Sequence, residues 1–472
     1  MTGNELLILV IPAVLAILLL ALLSLERLLL LAIFLVPLSL QLSYLTGSAG
    51  FDLSVPTEPV LALVLLITLF RLIVTRGFPK ELLRHPMTWL LGLYLLWTFI
   101  TALTSAMPGV SFKTLAYRLW FTAGFYLVAA RLAYDEPFRM RYISAYAAGL
   151  AIVVVYFIVR VKGAGLFNQQ FAHSACYPFY KDHTSFGASM AFLLPPLAVM
   201  FSYRGSLWRR IFLAALMLLF MTGFILSYSR AAWVSLIAAL VLALILWIRM
   251  PLRMLSVSAV MFIIALALSA GWIWQKMDST TQDSSADLGQ HLRSASNITT
   301  DQSNLERINR WKCALRMFAE RPNTGWGPGT YQFQYAPFQK ASEKTVISTD
   351  FGDAGNAHSE YLGALSESGW PGALLFLALT LGAVITGIKV WYNRGRGERG
   401  YFALAVVTGL VTYAIHGVMN SFLDSDKIAA LWWGFIAMIV AMDLEAKNTT
   451  RATGSECNPD DAAVKVPGGT IV

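Results

Sequence analysis

Charge is scarce in this sequence. Asp, Glu, Lys and Arg make up 13% of 472 residues, about half the roughly 25% usual in soluble domains. With 57% of the chain hydrophobic, an ordinary soluble enzyme is excluded. Cysteine is scarce as well: Cys176, Cys313 and Cys457 form no CxxC pair, so neither a zinc site nor a dense disulfide framework is signalled. His85, His173, His183, His291, His358 and His416 show no HxxxH or HExxH spacing, so no bound metal and no cofactor is expected. Strict apolar/polar alternation is missing from runs such as residues 6–22, which excludes a porin-like barrel. The first apolar run also lacks a basic flank and an A-x-A-like exit, and reads as a membrane helix rather than a cleavable signal.

What is present is a series of apolar runs bounded by charge, Gly or Pro. Each is near the roughly 20 residues needed to cross a hydrocarbon core of about 30 Å. Thirteen runs are expected as spans, near 5–24, 28–45, 57–74, 88–106, 116–132, 142–160, 185–202, 211–228, 231–248, 254–274, 371–388, 401–419 and 428–444. The fold class is therefore all-α integral membrane, a polytopic bundle of 12–13 helices. The net charge of +9 is not a nucleic-acid footprint, because the basic residues sit in alternate short loops. Arg71, Arg76, Lys80 and Arg84 lie in one, Arg131, Arg139 and Arg141 in the next, and Arg204, Arg209 and Arg210 in a third. Arg249 and Arg253, then Lys389, Arg394, Arg396 and Arg399, continue the series. Such loops are expected on the cytoplasmic side. With thirteen spans the N-terminus is outside and the tail inside.

Four regions follow: spans in 1–274, a large outside loop at 275–370, further spans in 371–445, and a polar tail at 446–472 expected to be disordered. The loop far exceeds the usual 12–15 residues or so, which points to function or disorder. Its first part is poor in apolar residues. From Ser303 a capping box (Ser303, Glu306) opens a helix with Leu305, Ile308, Trp311, Leu315 and Phe318 at helical spacing, stopped by Pro322 and Gly325. An amphipathic helix at the membrane surface is expected. After the turn at 325–333, a second helix is expected from about Ala357 to Gly369-Trp370-Pro371.

Ionisable residues at the outer ends of spans are the candidates for chemistry. Arg230 ends LSYSR beside Tyr228, and competes with a plain interfacial anchor. Arg307, Arg310 and Trp311 share about one helical turn, against a solvated basic face as the plain reading. A guanidinium fork suits phosphate oxygens better than a Lys point charge. His358, with Glu360 and Tyr361 after it, opens the helix that re-enters the membrane. Its imidazole is a candidate general base, oriented by Glu360 or another acid, and as an ordinary imidazole it would titrate near pH 6–7. A purely structural histidine is the alternative. Lys181 and His183 are weaker candidates for acceptor contact, with Asp182 between them reading as a helix cap.

Taken together, LSYSRAAW (226–233), RINRWKCALRMFAERPNTGWGPGTY (307–331) and NAHSEYLGALSESGWPG (356–372) resemble the O-antigen ligase and polymerase family of membrane glycosyltransferases. The resemblance covers roughly residues 210–425. It implies a GT-C-like bundle with catalytic residues His358, Arg307 and Arg230. Substrate contacts are then expected from Arg310, Trp311, Tyr228, Glu360, Tyr361, Lys181 and His183. Two features depart from the family pattern: Ser359 stands where Asn is common, and thirteen spans exceed the usual twelve.

The resemblance further implies transfer of a glycan from undecaprenyl diphosphate to an acceptor hydroxyl such as that of lipid A–core. The bacterial inner membrane would be the location and the site would face the periplasm. The partners would be the lipid-linked donor, a lipid A–core or glycan acceptor, and membrane lipids, with no nucleic acid. Chemistry fits this independently. Arginines can stabilise a departing diphosphate without a metal, a neutral imidazole can take the acceptor proton, and a single displacement inverts the anomeric centre. A polymerase and a protein O-oligosaccharyltransferase remain open within the class. A lipid or sugar transporter or flippase is the alternative outside it.

Overall fold

In hydrocarbon a backbone must satisfy its own N–H and C=O groups, so continuous apolar runs become helices. The computed structural model describes residues 3–46, 53–75, 77–166, 168–203, 205–251, 253, 254, 257, 261, 302–345, 348, 349 and 355–455. It is 80% helical, and the described strands are one two-residue pair, Leu40–Gln41 against Ser54–Val55. The protein is an all-α polytopic membrane protein.

The helices in chain order are α1 (Gly3–Leu23), α2 (Leu25–Leu35), α3 (Thr57–Phe70), α4 (Pro86–Leu103), α5 (Pro108–Phe121), α6 (Glu136–Ala164) and α7 (His183–Ser202). They continue with α8 (Leu207–Leu226), α9 (Arg230–Trp247), α10 (Gln302–Glu320), α11 (Glu360–Arg394), α12 (Glu398–Met419) and α13 (Asp426–Ser455). Among the described residues nine helical stretches are long and apolar enough to cross a membrane: α3 with its π-helical continuation to Val74, α4, α6, α7, α8, α9, α11, α12 and α13 to Asn448. All but three residues of the expected span near 254–274, and the start of the large loop, lie outside the described residues.

Three expectations change. The second run forms α2 and a 3-10 turn, Val36–Leu38, rather than a helix over 28–45, because Pro37 ends the α-helical ladder. The run near 116–132 begins earlier, at Pro108, and passes from α5 through a π-helical stretch, Thr122–Val128, to Leu132. α13 continues to Ser455, past the start of the expected disordered tail. No Pro or Gly interrupts 445–453, and Lys447 pairs with Asp443 one turn back at 2.6 Å.

α12 and α13 form the centre. α12 packs against α7, α9, α11 and α13, and nearly every residue of the apolar stretch of α13 is buried. The basic loops meet at one end of α13, where Arg139, Arg394 and Arg399 all reach Glu445 at 2.8, 3.0 and 3.2 Å. At its other end Asp426 receives a 2.6 Å hydrogen bond from Ser39. At about 1.5 Å per residue, these two ends of α13 are roughly 30 Å apart. The candidate residues gather near Asp426, at the end away from the basic loops.

Candidate functional site

The turn between α8 and α9 presents the first arginine. Ser229 caps α9 by accepting from the N–H of Ala232 at 3.4 Å, and Arg230 is its first residue, half-buried. The preceding Tyr228 is buried with φ 50°, a left-handed conformation that costs a non-glycine residue energy. α7 lies close against this turn: a Cβ added at Gly187 would come within 2.8 Å of Ser229 Cβ.

The loop helix α10 turns a largely polar face into the protein and leaves most of its apolar positions half-exposed. Glu306, Ile308, Asn309, Arg310, Cys313 and Met317 are buried, whereas Leu305, Trp311, Leu315 and Phe318 are half-exposed. The polar residues win because the returning loop supplies partners. Glu306 accepts from Arg310 Nε at 2.7 Å, from Thr345 Oγ1 at 2.9 Å and from Ser348. It therefore anchors the loop. Arg310 also donates to the Asn356 carbonyl at 3.2 Å and stacks over Tyr335. This buried guanidinium holds the loop together. Arg307, half-buried, donates to Asn304 Oδ1 at 3.1 Å.

The Gly/Pro turn after α10 is pinned to α11. Trp326 and Gly327 N–H donate to the carbonyls of Ser366 and Glu367 at 3.0 and 2.8 Å. The Glu367 carboxylate accepts from the N–H of Gly329 and Tyr331 at 2.9 and 3.0 Å. Gly327 has φ 110°, and a Cβ there would lie 2.0 Å from Ser105 Oγ, so only glycine fits. α11 itself breaks at Gly369, φ 66°, just before Pro371, where the sequence places the junction between loop helix and span.

His358 sits between these parts. It has φ 47°. Its N–H donates to Asn356 Oδ1 at 3.0 Å, and its carbonyl accepts from Trp311 Nε1 at 3.1 Å. Burial first, then the charges of Arg307 and Arg310, lower its pKa to about 3. The imidazole is therefore neutral at physiological pH, well clear of the 6–7 expected of an ordinary histidine. Glu360 does not orient it. That carboxylate accepts from Tyr413 Oη at 2.5 Å and from the N–H of Phe422 and Leu423 at 2.7 and 2.9 Å, so it closes the α12–α13 loop. Tyr361 is likewise engaged, donating to the Ala414 carbonyl at 2.9 Å.

Four of the expected residues share one electrostatic neighbourhood. The charges of Arg307 and Arg230 both act on the His183 imidazole, and that of Arg307 also acts on His358. Trp311 joins them through the His358 backbone. Asp182 caps α7, accepting from the N–H of Thr184 and Ser185 at 2.7 and 2.8 Å. Lys181 is exposed beside it. Two histidines were not singled out by their spacing: His173, whose ring stacks on that of His183 at 3.9 Å, and His416, which feels the charges of Asp182 and Arg307. An ionisable residue inside an apolar run such as LVTYAIHGVM was the available signal for His416. A separate cavity of about 60 Å³ lies between Arg118, Asp424, Glu360 and Glu367, with Arg118 and Asp424 paired at 3.2 Å. It has room for a few waters rather than a sugar.

Residues 213–377 match the sequence model of the family described as O-Antigen ligase. The matched stretch is about a third of the chain, and over it the chain is similar to the O-antigen ligase family. Arg230, Arg307 and His358 all fall within the match, whereas His183 and His416 flank it. No curated protein matches the chain. The family supports a membrane glycosyltransferase of the O-antigen ligase or polymerase type, with glycan and lipid-linked substrates in general.

Proposed function

We propose that this chain is a glycosyltransferase of the O-antigen ligase family that transfers a glycan from undecaprenyl diphosphate to an acceptor hydroxyl, with lipid A–core as the acceptor, at the periplasmic face of the bacterial inner membrane. The observation that carries this reading is the neighbourhood of Arg230, Arg307, His183 and His358, drawn from four separate segments at the end of the bundle away from the basic loops. The two guanidiniums hold the diphosphate and stabilise the charge that develops on it as it leaves. The acceptor oxygen forms its bond to the anomeric carbon as the bond from that carbon to the diphosphate oxygen breaks. The electron pair stays with the diphosphate and the acceptor proton passes to His358. One displacement of this kind inverts the anomeric centre.

The low pKa of His358 fits the order of events. A diphosphate anion bound at Arg307 offsets the positive charge that disfavours the imidazolium, so donor binding raises the basicity of the base. The neutral ring is ready in the free chain and becomes a better proton acceptor once the donor is seated. In this reading the acceptor contacts Lys181 and His183, which flank the Asp182 cap of α7.

The test is transfer by the purified full-length protein from a lipid-linked glycan to three acceptors in turn. The reading expects product on lipid A–core. Product only on a second lipid-linked glycan makes the chain a polymerase, and product only on a peptide hydroxyl makes it a protein O-oligosaccharyltransferase. Absence of product on all three contradicts the glycosyltransferase reading.

A further inference from the structure

The end of α12 carries two buried polar side chains one turn apart, His416 in the last turn and Asn420 at the C-cap, with polar atoms that lack hydrogen-bond partners among the described residues. His416 and Asn420 are each 1% exposed. Neither ring nitrogen of His416, nor Nδ2 of Asn420, has a hydrogen-bond partner among the described residues. A buried donor left unpaired is costly, so two of them at one helix end, in a span where other buried polar side chains find partners, call for a reason. Thr408 and Thr412, for comparison, donate to the carbonyls four residues back at 2.7 and 2.8 Å.

Position supplies the reason. The His416 ring lies between the rings of Tyr413 and Phe422, with centroids 6.0 and 5.9 Å away. The backbone of Ala231, the residue after Arg230, is beside it without hydrogen-bond geometry. α12 packs on both α7 and α9, whose first residues are His183 and Arg230. On the other side, the next residue, Gly417, meets Glu360, with the position of its Cβ only 3.1 Å from Glu360 Cγ, and Ser421 accepts from Asn356 Nδ2 at 2.8 Å. The end of α12 thus lies between the Arg230 turn and the His358 segment.

We propose that His416 and Asn420 are donor-binding residues, whose N–H groups are completed by phosphate oxygens of the polyprenyl diphosphate held by Arg230 and Arg307. The inference rests on the donor reading above and adds neutral donors to its two cations. A phosphate oxygen is a strong acceptor, and hydrogen bonds to charged groups are worth more than neutral ones. Neutral donors also bring geometric selection: they accept a ligand oxygen without adding charge to a buried part of the bundle.

The experiment measures binding of undecaprenyl diphosphate to the full-length protein in lipid nanodiscs, with undecaprenol as the control, alongside thermal unfolding without ligand. His416→Phe keeps the ring shape and removes the polar atoms. It should weaken diphosphate binding about tenfold or more, leave undecaprenol binding as it was, and leave the ligand-free melting temperature equal or higher. Asn420→Ala should weaken diphosphate binding in the same direction. Wild-type affinity in both variants overturns the inference alone, since the wild-type chain still binds. A wild-type chain that does not bind the diphosphate overturns the donor reading and this inference with it. If His416→Phe lowers the melting temperature, His416→Asn decides: recovery of affinity by its N–H donor supports the proposal, and affinity no better than that of the Phe variant overturns it.

Discussion

The indole of Trp311 donates to the backbone carbonyl of His358 at 3.1 Å, tying the loop helix to the residue that carries the candidate base. Because His358 is in the left-handed region, this bond and the one from its N–H to Asn356 fix where the imidazole starts. Trp311→Phe keeps an aromatic ring, though a smaller one, and loses the donor. Turnover should fall about tenfold through misplacement of the imidazole, with the KM for the lipid-linked donor within about twofold of wild type. Steady-state kinetics with the purified variant checks this, and a raised donor KM at normal kcat would move Trp311 into donor binding.

The pH dependence follows from the lowered pKa of His358, about 3. In the free chain the imidazole stays neutral down to that value, so kcat/KM should show no rise through pH 6–7 attributable to His358. Donor binding at Arg307 raises the pKa, so the acid limb of kcat should lie at higher pH than that of kcat/KM. Stability has the opposite bookkeeping. Between the ordinary value near 6.5 and about 3 the unfolded chain binds the proton that the folded chain does not, so stability falls as pH drops through that window. His358→Asn should therefore lose less stability on acidification than wild type, as read from melting temperatures across the window.

Arg230 and Arg307 test whether a forked contact or only charge is required. Arg230→Lys and Arg307→Lys should each lose most transfer, with expression and membrane insertion unchanged, because an ammonium cannot reproduce two parallel N–H bonds to a phosphate. Transfer assays on both variants decide between donor contacts and interfacial anchors, and wild-type rates would leave the anchors.

Glu367 should matter to the loop more than to chemistry. Its carboxylate accepts two backbone N–H groups of the glycine turn, and Glu367→Ala would leave both without that acceptor, at a cost of about 1–3 kcal/mol each. Limited proteolysis should find the 325–331 turn cleaved faster in the variant. Equal cleavage rates would show that the other contacts of the turn suffice.

Much of the fold could be read from the sequence because membrane spans are long and nearly continuous in composition. α3, α4, α6 to α9, α11, α12 and α13 sit close to the expected runs for that reason. Gly369 and Pro371 marked the break in α11 by their backbone preferences alone. The loop was harder. Apolar spacing marked Leu305, Ile308, Trp311, Leu315 and Phe318 as the membrane-facing side of α10, but nothing local marked Glu306, Asn309 and Arg310 for burial, because their partners, Thr345, Ser348 and Asn356, lie some 40 residues away in sequence. For the same reason Glu360 looked like a partner for the neighbouring His358 and instead receives hydrogen bonds from Tyr413, Phe422 and Leu423. No local pattern encodes those pairings.

The most direct measurement is turnover and donor binding by His358→Gly, with and without added imidazole. Glycine adopts φ near 47° without strain, so the backbone position survives while the base is removed. The account predicts that transfer falls by about 10²–10⁴, that undecaprenyl diphosphate binding is retained, and that free imidazole restores part of the rate in proportion to its concentration. Normal turnover in the glycine variant, or lost turnover that comes only from lost donor binding, would contradict it.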